Sequence, residues 1–116
     1  MAVNTDLSQS CCAPIGDVMS AEEAAETAAL LRVIADPARL RILSILASSA
    51  DHELCVCDLT EPLGLSQPTV SHHMKVLRES GFTESERRGK WVYHRLVLSR
   101  LDQVAAALRV DVTTPA

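Results

Sequence analysis

The chain has 116 residues, 47% hydrophobic and 22% charged, which suits one globular domain rather than a disordered segment. Its apolar runs fall far short of a membrane span, and no charged segment followed by an apolar run marks a secretory signal, so a cytoplasmic location is expected. The net charge of −4 argues against indiscriminate nucleic-acid binding, but the charge is unevenly spread. Residues 1–36 carry net −5, whereas residues 66–95 carry net +3, and a local basic surface can engage phosphate because screening makes near charges dominate.

Residues 1–18 lack periodicity, contain Pro14 and Gly16, and read as a flexible tail carrying Cys11 and Cys12. The domain proper is expected over 19–110, with 111–116 as a C-terminal tail. Ser20 with Glu23 forms a capping-box pattern that opens a first helix, with apolar spacing kept to about Ala35. Asp36-Pro37 opens a second, whose apolar face holds Leu40, Ile42, Leu43 and Leu46. Residues 48–53 break the pattern. A short helix is predicted from Val56 to Leu63, stopping at Gly64, although Pro62 sits awkwardly near its end.

Ser66 is a good cap for a fourth helix, which holds Pro68 in its first turn and stops at Gly81. Alternation over Thr83–Arg87 and Trp91–Val97 around Arg88-Gly89-Lys90 reads as a hairpin. Ser99 is expected to cap a last helix with a stripe of Leu101, Val104, Ala105 and Leu108. The fold is therefore mainly α with a small β-hairpin. Short helix, tight turn, longer helix and basic hairpin make a winged helix-turn-helix.

Such a unit needs a helix with one apolar face for anchoring and one short polar face for the major groove. Val70, Met74 and Leu77 fall together at 100° per residue, and Ser71, His72 and Lys75 fall opposite. Gln67 and Thr69 lie near the helix start. Gln suits adenine, Ser and Thr suit several bases, and Lys suits guanine or phosphate. Arg88 and Lys90 at the hairpin tip suit the DNA backbone or minor groove. His73, at the edge of the apolar face, is expected to be a hydrogen-bonded packing residue.

The four cysteines form two tight pairs, Cys11-Cys12 and Cys55/Cys57, which are poor disulfide geometries and point to metal or redox chemistry. Thiolates select soft ions. Four could hold a divalent cation such as Cd(II), Pb(II) or Zn(II), and three could hold As(III) or Sb(III). Residues two apart on a helix point to opposite sides, so Cys55 and Cys57 can share one ion only if Cys55 lies at or before the helix start. A redox switch of the same thiols is an alternative. An enzyme is not expected, since no C-x-x-C, phosphate loop or Ser/His/Asp set is present.

The runs Glu53-Leu-Cys-Val-Cys-Asp-Leu59, Leu65-Ser-Gln-Pro-Thr-Val-Ser-His-His73 and Leu77-Arg-Glu-Ser-Gly81, with Asp36-Pro-Ala-Arg-Leu-Arg-Ile-Leu43, resemble the ArsR/SmtB family of metal-responsive repressors over about residues 20–110. The resemblance implies a homodimer built through the first and last helices, double-stranded operator DNA of two-fold symmetry, and release by an effector. It assigns Cys55 and Cys57 to a sensor site on the third helix. The family's arsenic sensors add a cysteine three residues later, where this chain has Thr60. Related members contribute an N-terminal cysteine pair instead, often from the other subunit, and that role falls to Cys11 and Cys12. Members that sense cadmium or lead space their tail cysteines more widely, so As(III) or Sb(III) is the leading effector. A zinc or nickel site on the last helix is not expected, because that helix offers only Asp102.

Overall fold

A computed structural model describes residues 18–109. The tails expected over 1–18 and 111–116, including Cys11 and Cys12, lie outside the described residues except for Val18. Helix α1 spans Ala21–Ile34, α2 Pro37–Ala47, α3 Cys57–Leu63, α4 Gln67–Glu79 and α5 Leu98–Ala107. Strands β1 Glu53–Cys55, β2 Thr83–Arg88 and β3 Trp91–Leu96 form one antiparallel sheet in the order β1-β3-β2.

The helix starts follow from capping chemistry. Ser20 Oγ accepts the Glu23 amide at 3.1 Å and Glu23 Oε1 accepts the Ser20 amide at 2.9 Å, so two orphan donors are satisfied reciprocally. Asp36 Oδ2 accepts the Arg39 amide at 3.1 Å, and Pro37 follows where an amide would lack a partner anyway. That amide bond, more than the nearby His73 and Arg39, holds the Asp36 carboxyl below its ordinary range. Gly64 ends α3 in the left-handed region at φ 68°, which lets its amide reach the Thr60 carbonyl at 2.9 Å.

The expected hairpin forms from β2 and β3, and a strand that was not expected extends it: Glu53–Cys55 pairs with β3 in the register Glu53↔Arg95, Leu54↔His94 and Cys55↔Tyr93. One expectation is corrected. Ser99 is not the cap of the last helix. The helix begins at Leu98 after Val97, with no side-chain cap, because the Val97 amide bonds Phe82 O at 2.9 Å and the strand runs straight into the helix.

The core gathers Ile42 and Leu46 from α2, Leu59 from α3, Val70, Met74 and Leu77 from α4, and Phe82, Leu96 and Val104 behind them. Thus the helices flanking the turn and the wing share one apolar centre, which fixes α4 against the sheet. By contrast, α1 buries no residue completely and α5 buries only Val104. Val18, Leu98 and Leu108 stay 69%, 53% and 59% exposed.

Candidate nucleic-acid interface and thiol site

Helix α4 divides as its periodicity predicts. Val70, Met74 and Leu77 are fully or almost fully buried, and Gln67, Thr69, Ser71, His72 and Lys75 are exposed. Ser66 Oγ accepts the Thr69 amide at 3.4 Å and lies 2.9 Å from the Thr69 hydroxyl, so Thr69 also serves the cap. His73 is a packing residue: its Nδ1 accepts from Arg39 Nε at 3.1 Å, while Arg39 Nη1 donates to Val33 O at 2.9 Å. One guanidinium thereby ties the end of α1 and the start of α2 to the middle of α4.

The wing tip separates the two cations assigned to it. Lys90 is exposed, with its ammonium 5.7 Å from the Trp91 ring centre. Arg88 instead donates through Nη2 to Glu53 at 2.9 Å and Glu86 at 2.8 Å, and its guanidinium lies 4.6 Å over the Tyr93 ring. Those carboxylates hold the Arg88 charge more firmly than usual, Glu86 first. Arg88 therefore fastens the wing to β1.

Gln67, Ser71, Lys75 and Lys90 line one cleft of about 420 Å³ together with Arg78, Met74, Trp91 and Val92. Arg78 was not singled out from the sequence, although it follows Lys75 by three residues and so shares its face. His94 also lines the cleft. It is only 4% exposed, and its Nδ1 has no hydrogen-bond partner. Burial first, and the Arg78 charge second, push its imidazole pKa down, which favours the neutral ring.

Cys55, Val56 and Cys57 line the same cleft. Cys55 closes β1 and is buried, whereas Cys57 opens α3 and is exposed. The condition for a shared ion, Cys55 ahead of the helix, is thus met. A hydrogen bond with the Cys55 thiol, then burial and the Asp58 charge, push the Cys57 thiol pKa up. Both are free cysteines. Thr60, at the position of a third cysteine, donates its hydroxyl to Cys57 O at 3.2 Å. His52 Nδ1 lies 3.1 Å from Ala47 O. Among the described residues no group of three or more His, Cys, Asp or Glu side chains is placed to hold a metal ion. Nor is any of their helices long and apolar enough to cross a membrane.

Helix-turn-helix, wing and adjacent thiols define a winged-helix regulator with a candidate sensor site. Residues 36–85 match the family model described as bacterial regulatory protein, arsR family. The arsenical resistance operon repressor of Escherichia coli (strain K12) is 46% identical over 67 residues, covering 58% of this chain and 56% of that protein. The repressor of the same name from Staphylococcus xylosus is 39% identical over 79 residues, covering 68% and 73%. Among solved structures, the AntR antimony-specific transcriptional repressor superposes with a TM-score of 0.67 at 30% identity, covering 84% of this chain and 86% of that one. The chain belongs to the arsR family of bacterial regulatory proteins. It spans little more than half the length of the Escherichia coli relative.

Proposed function

We propose that this protein is a DNA-binding transcriptional repressor, released from its operator when As(III) or Sb(III) binds its cysteine thiols. The observation that carries the reading is the shared cleft, which Cys55 and Cys57 line together with Gln67, Ser71 and Lys75 of α4. An ion bound in this cleft would act directly on the helix proposed to meet the bases. Gln67, Thr69, Ser71, His72 and Lys75 would read or position DNA, with Lys90 on the backbone or in the minor groove. Arg88 would contribute through the shape of the wing.

A second copy of the chain completes the reading. Helix α1 offers Leu30, Leu31 and Ile34 only half-buried, and Leu98 of α5 and Leu108 just past its end stay in solvent. Small domains gain burial by pairing in this way. Two reading heads related by two-fold symmetry then call for a two-fold operator. The tail cysteines, Cys11 and Cys12, supply the third thiol that Thr60 does not.

Cys55 and Cys57 are two neighbouring free thiols in a cleft that no carboxylate lines, which suits a soft trivalent metalloid. The names of the arsenical and antimony repressors above support the same choice.

The test is Cys57→Ser in the full chain, assayed on a duplex selected from a random pool by the effector-free protein. The variant should hold this DNA within about twofold of wild type, as expected of uncoupled sites, and should not release it with arsenite. Loss of DNA binding without effector would refute the assignment of Cys57 as a sensor.

A further inference from the structure

The geometry points to a phosphate seat in the cleft between α4 and the wing, where Arg78 and His94 hold the oxyanion and Lys75 and Lys90 add charge at its rim. This rests on the DNA-binding part of the reading above and not on the thiol effector. Neither Arg78 nor His94 belongs to the base-reading set. The cations of this region are divided between two uses. Arg88 and Arg95 are paired with Glu53, Glu86 and Glu84. Among the described residues Lys75, Arg78 and Lys90 make no ion pair, and all three line one cleft that no carboxylate enters. Unpaired like charges around a concavity focus their field on an anion.

His94 supplies an independent observation. Its ring lines the cleft and is buried, and its Nδ1 has no hydrogen-bond partner. Buried polar atoms are almost always partnered, so this nitrogen marks a place that a ligand atom completes. With the proton on Nδ1, the ring donates to an oxygen. Arg78 is close enough for its charge to help keep that ring neutral. A guanidinium brings charge and forked donors that match phosphate, and the neutral imidazole adds one more N–H.

The shape of the cleft favours a phosphate carried on a DNA strand over the free ion. Gln67, Ser71, Lys75 and Arg78 follow one another at helical spacing along one face of α4. At ~1.5 Å per residue, Arg78 lies about 16 Å beyond Gln67, more than the ~12 Å width of the major groove. With Gln67 among the base edges, Arg78 therefore falls at the flanking strand. The cleft of about 420 Å³ equals the liquid volume of about fourteen waters at ~30 Å³ each, more than a bare phosphate fills. Val92 and the half-exposed Trp91 give it an apolar wall against which a deoxyribose packs.

The experiment binds the effector-free full chain to the selected duplex and to copies in which one phosphate at a time is an uncharged methylphosphonate. At the seated phosphate this change should weaken the wild type about tenfold, as expected for a lost hydrogen bond to a charged group. It should weaken Arg78→Gln less than about twofold, since the partner is already gone. On the unmodified duplex Arg78→Gln should lower the slope of log affinity against log salt by about one and leave base preference unchanged. His94→Leu should weaken the duplex about tenfold yet melt within a few degrees of wild type, because the nitrogen it removes has no protein partner. A large fall in melting temperature with DNA affinity intact would make His94 a packing residue and remove it from the seat. A second arm titrates the DNA-free chain with inorganic phosphate at constant ionic strength and follows the His94 ring nitrogens by NMR. A response lost in Arg78→Gln, with no methylphosphonate position coupled to Arg78, would support the seat but give it to the free ion. No coupled position and no response to phosphate overturns the inference. If the wild type selects no duplex, the DNA-binding reading falls, and the phosphate arm decides the seat by itself.

Discussion

Arg39→Met isolates the contact that holds α4 against α1 and α2. Arg39 donates to Val33 O at 2.9 Å and to His73 Nδ1 at 3.1 Å, both partly buried. A hydrogen bond to a charged group contributes about 1.5–3 kcal/mol, less where water reaches it. Methionine keeps the packing of the stem but neither bond, so the variant should lose about 2–4 kcal/mol. At about 4–8 °C per kcal/mol for a small domain, the melting temperature should fall about 8–32 °C. Arg41→Met is the control, since exposed Arg41 makes a single bond, to Pro62 O at 2.9 Å, and surface pairs contribute under about 1 kcal/mol. The assay is urea unfolding followed by the fluorescence of Trp91, completed as a double-mutant cycle with His73→Ala. The cycle should return a coupling of about 1 kcal/mol. If Arg39→Met costs no more than Arg41→Met, or the cycle shows no coupling, the guanidinium does not hold α4.

Effector identity should be legible in pH. With its pKa raised, the Cys57 thiol stays protonated between about pH 6.5 and 8, and exchange of As(OH)3 with thiols releases only water. Arsenite affinity measured by competition should therefore be flat across that window. Cadmium affinity should rise about tenfold per pH unit for each proton displaced; a steep rise with arsenite would contradict the thiol-exchange chemistry. Lys75→Ala should weaken DNA binding in proportion on all sequences and lower the slope of log affinity against log salt by about one if Lys75 meets phosphate. A change in sequence preference with the salt slope intact would instead make Lys75 a base reader.

Much of this architecture was written locally. Ser20 with Glu23, Asp36 with Pro37, and Ser66 with Pro68 state three helix starts within four residues each, and each is formed. What the sequence concealed depends on distant partners. A three-residue strand such as Glu53–Cys55 has too short an alternation to read, and only its pairing with β3 defines it. Ser99 offered a plausible cap, but the bond from Val97 to Phe82, fifteen residues back, decided where α5 begins. The commitment of Arg88 to Glu53 spans 35 residues and left no local trace. His94 did leave one: it alternates with Val92 and Leu96 on β3, so its burial followed from the strand period. At the thiol site, spacing supplied the requirement that Cys55 precede the helix, and the β1–α3 junction meets it.

The most direct test of the sensor assignment is an anaerobic titration of the reduced protein with arsenite, counting thiols protected from a thiol reagent while DNA release is followed by anisotropy. Saturation at one arsenic per protomer, with Cys55, Cys57 and one tail cysteine protected and DNA released in step, is the result expected. Release of DNA with Cys55 and Cys57 still reactive, or arsenite bound with the DNA retained, would contradict it.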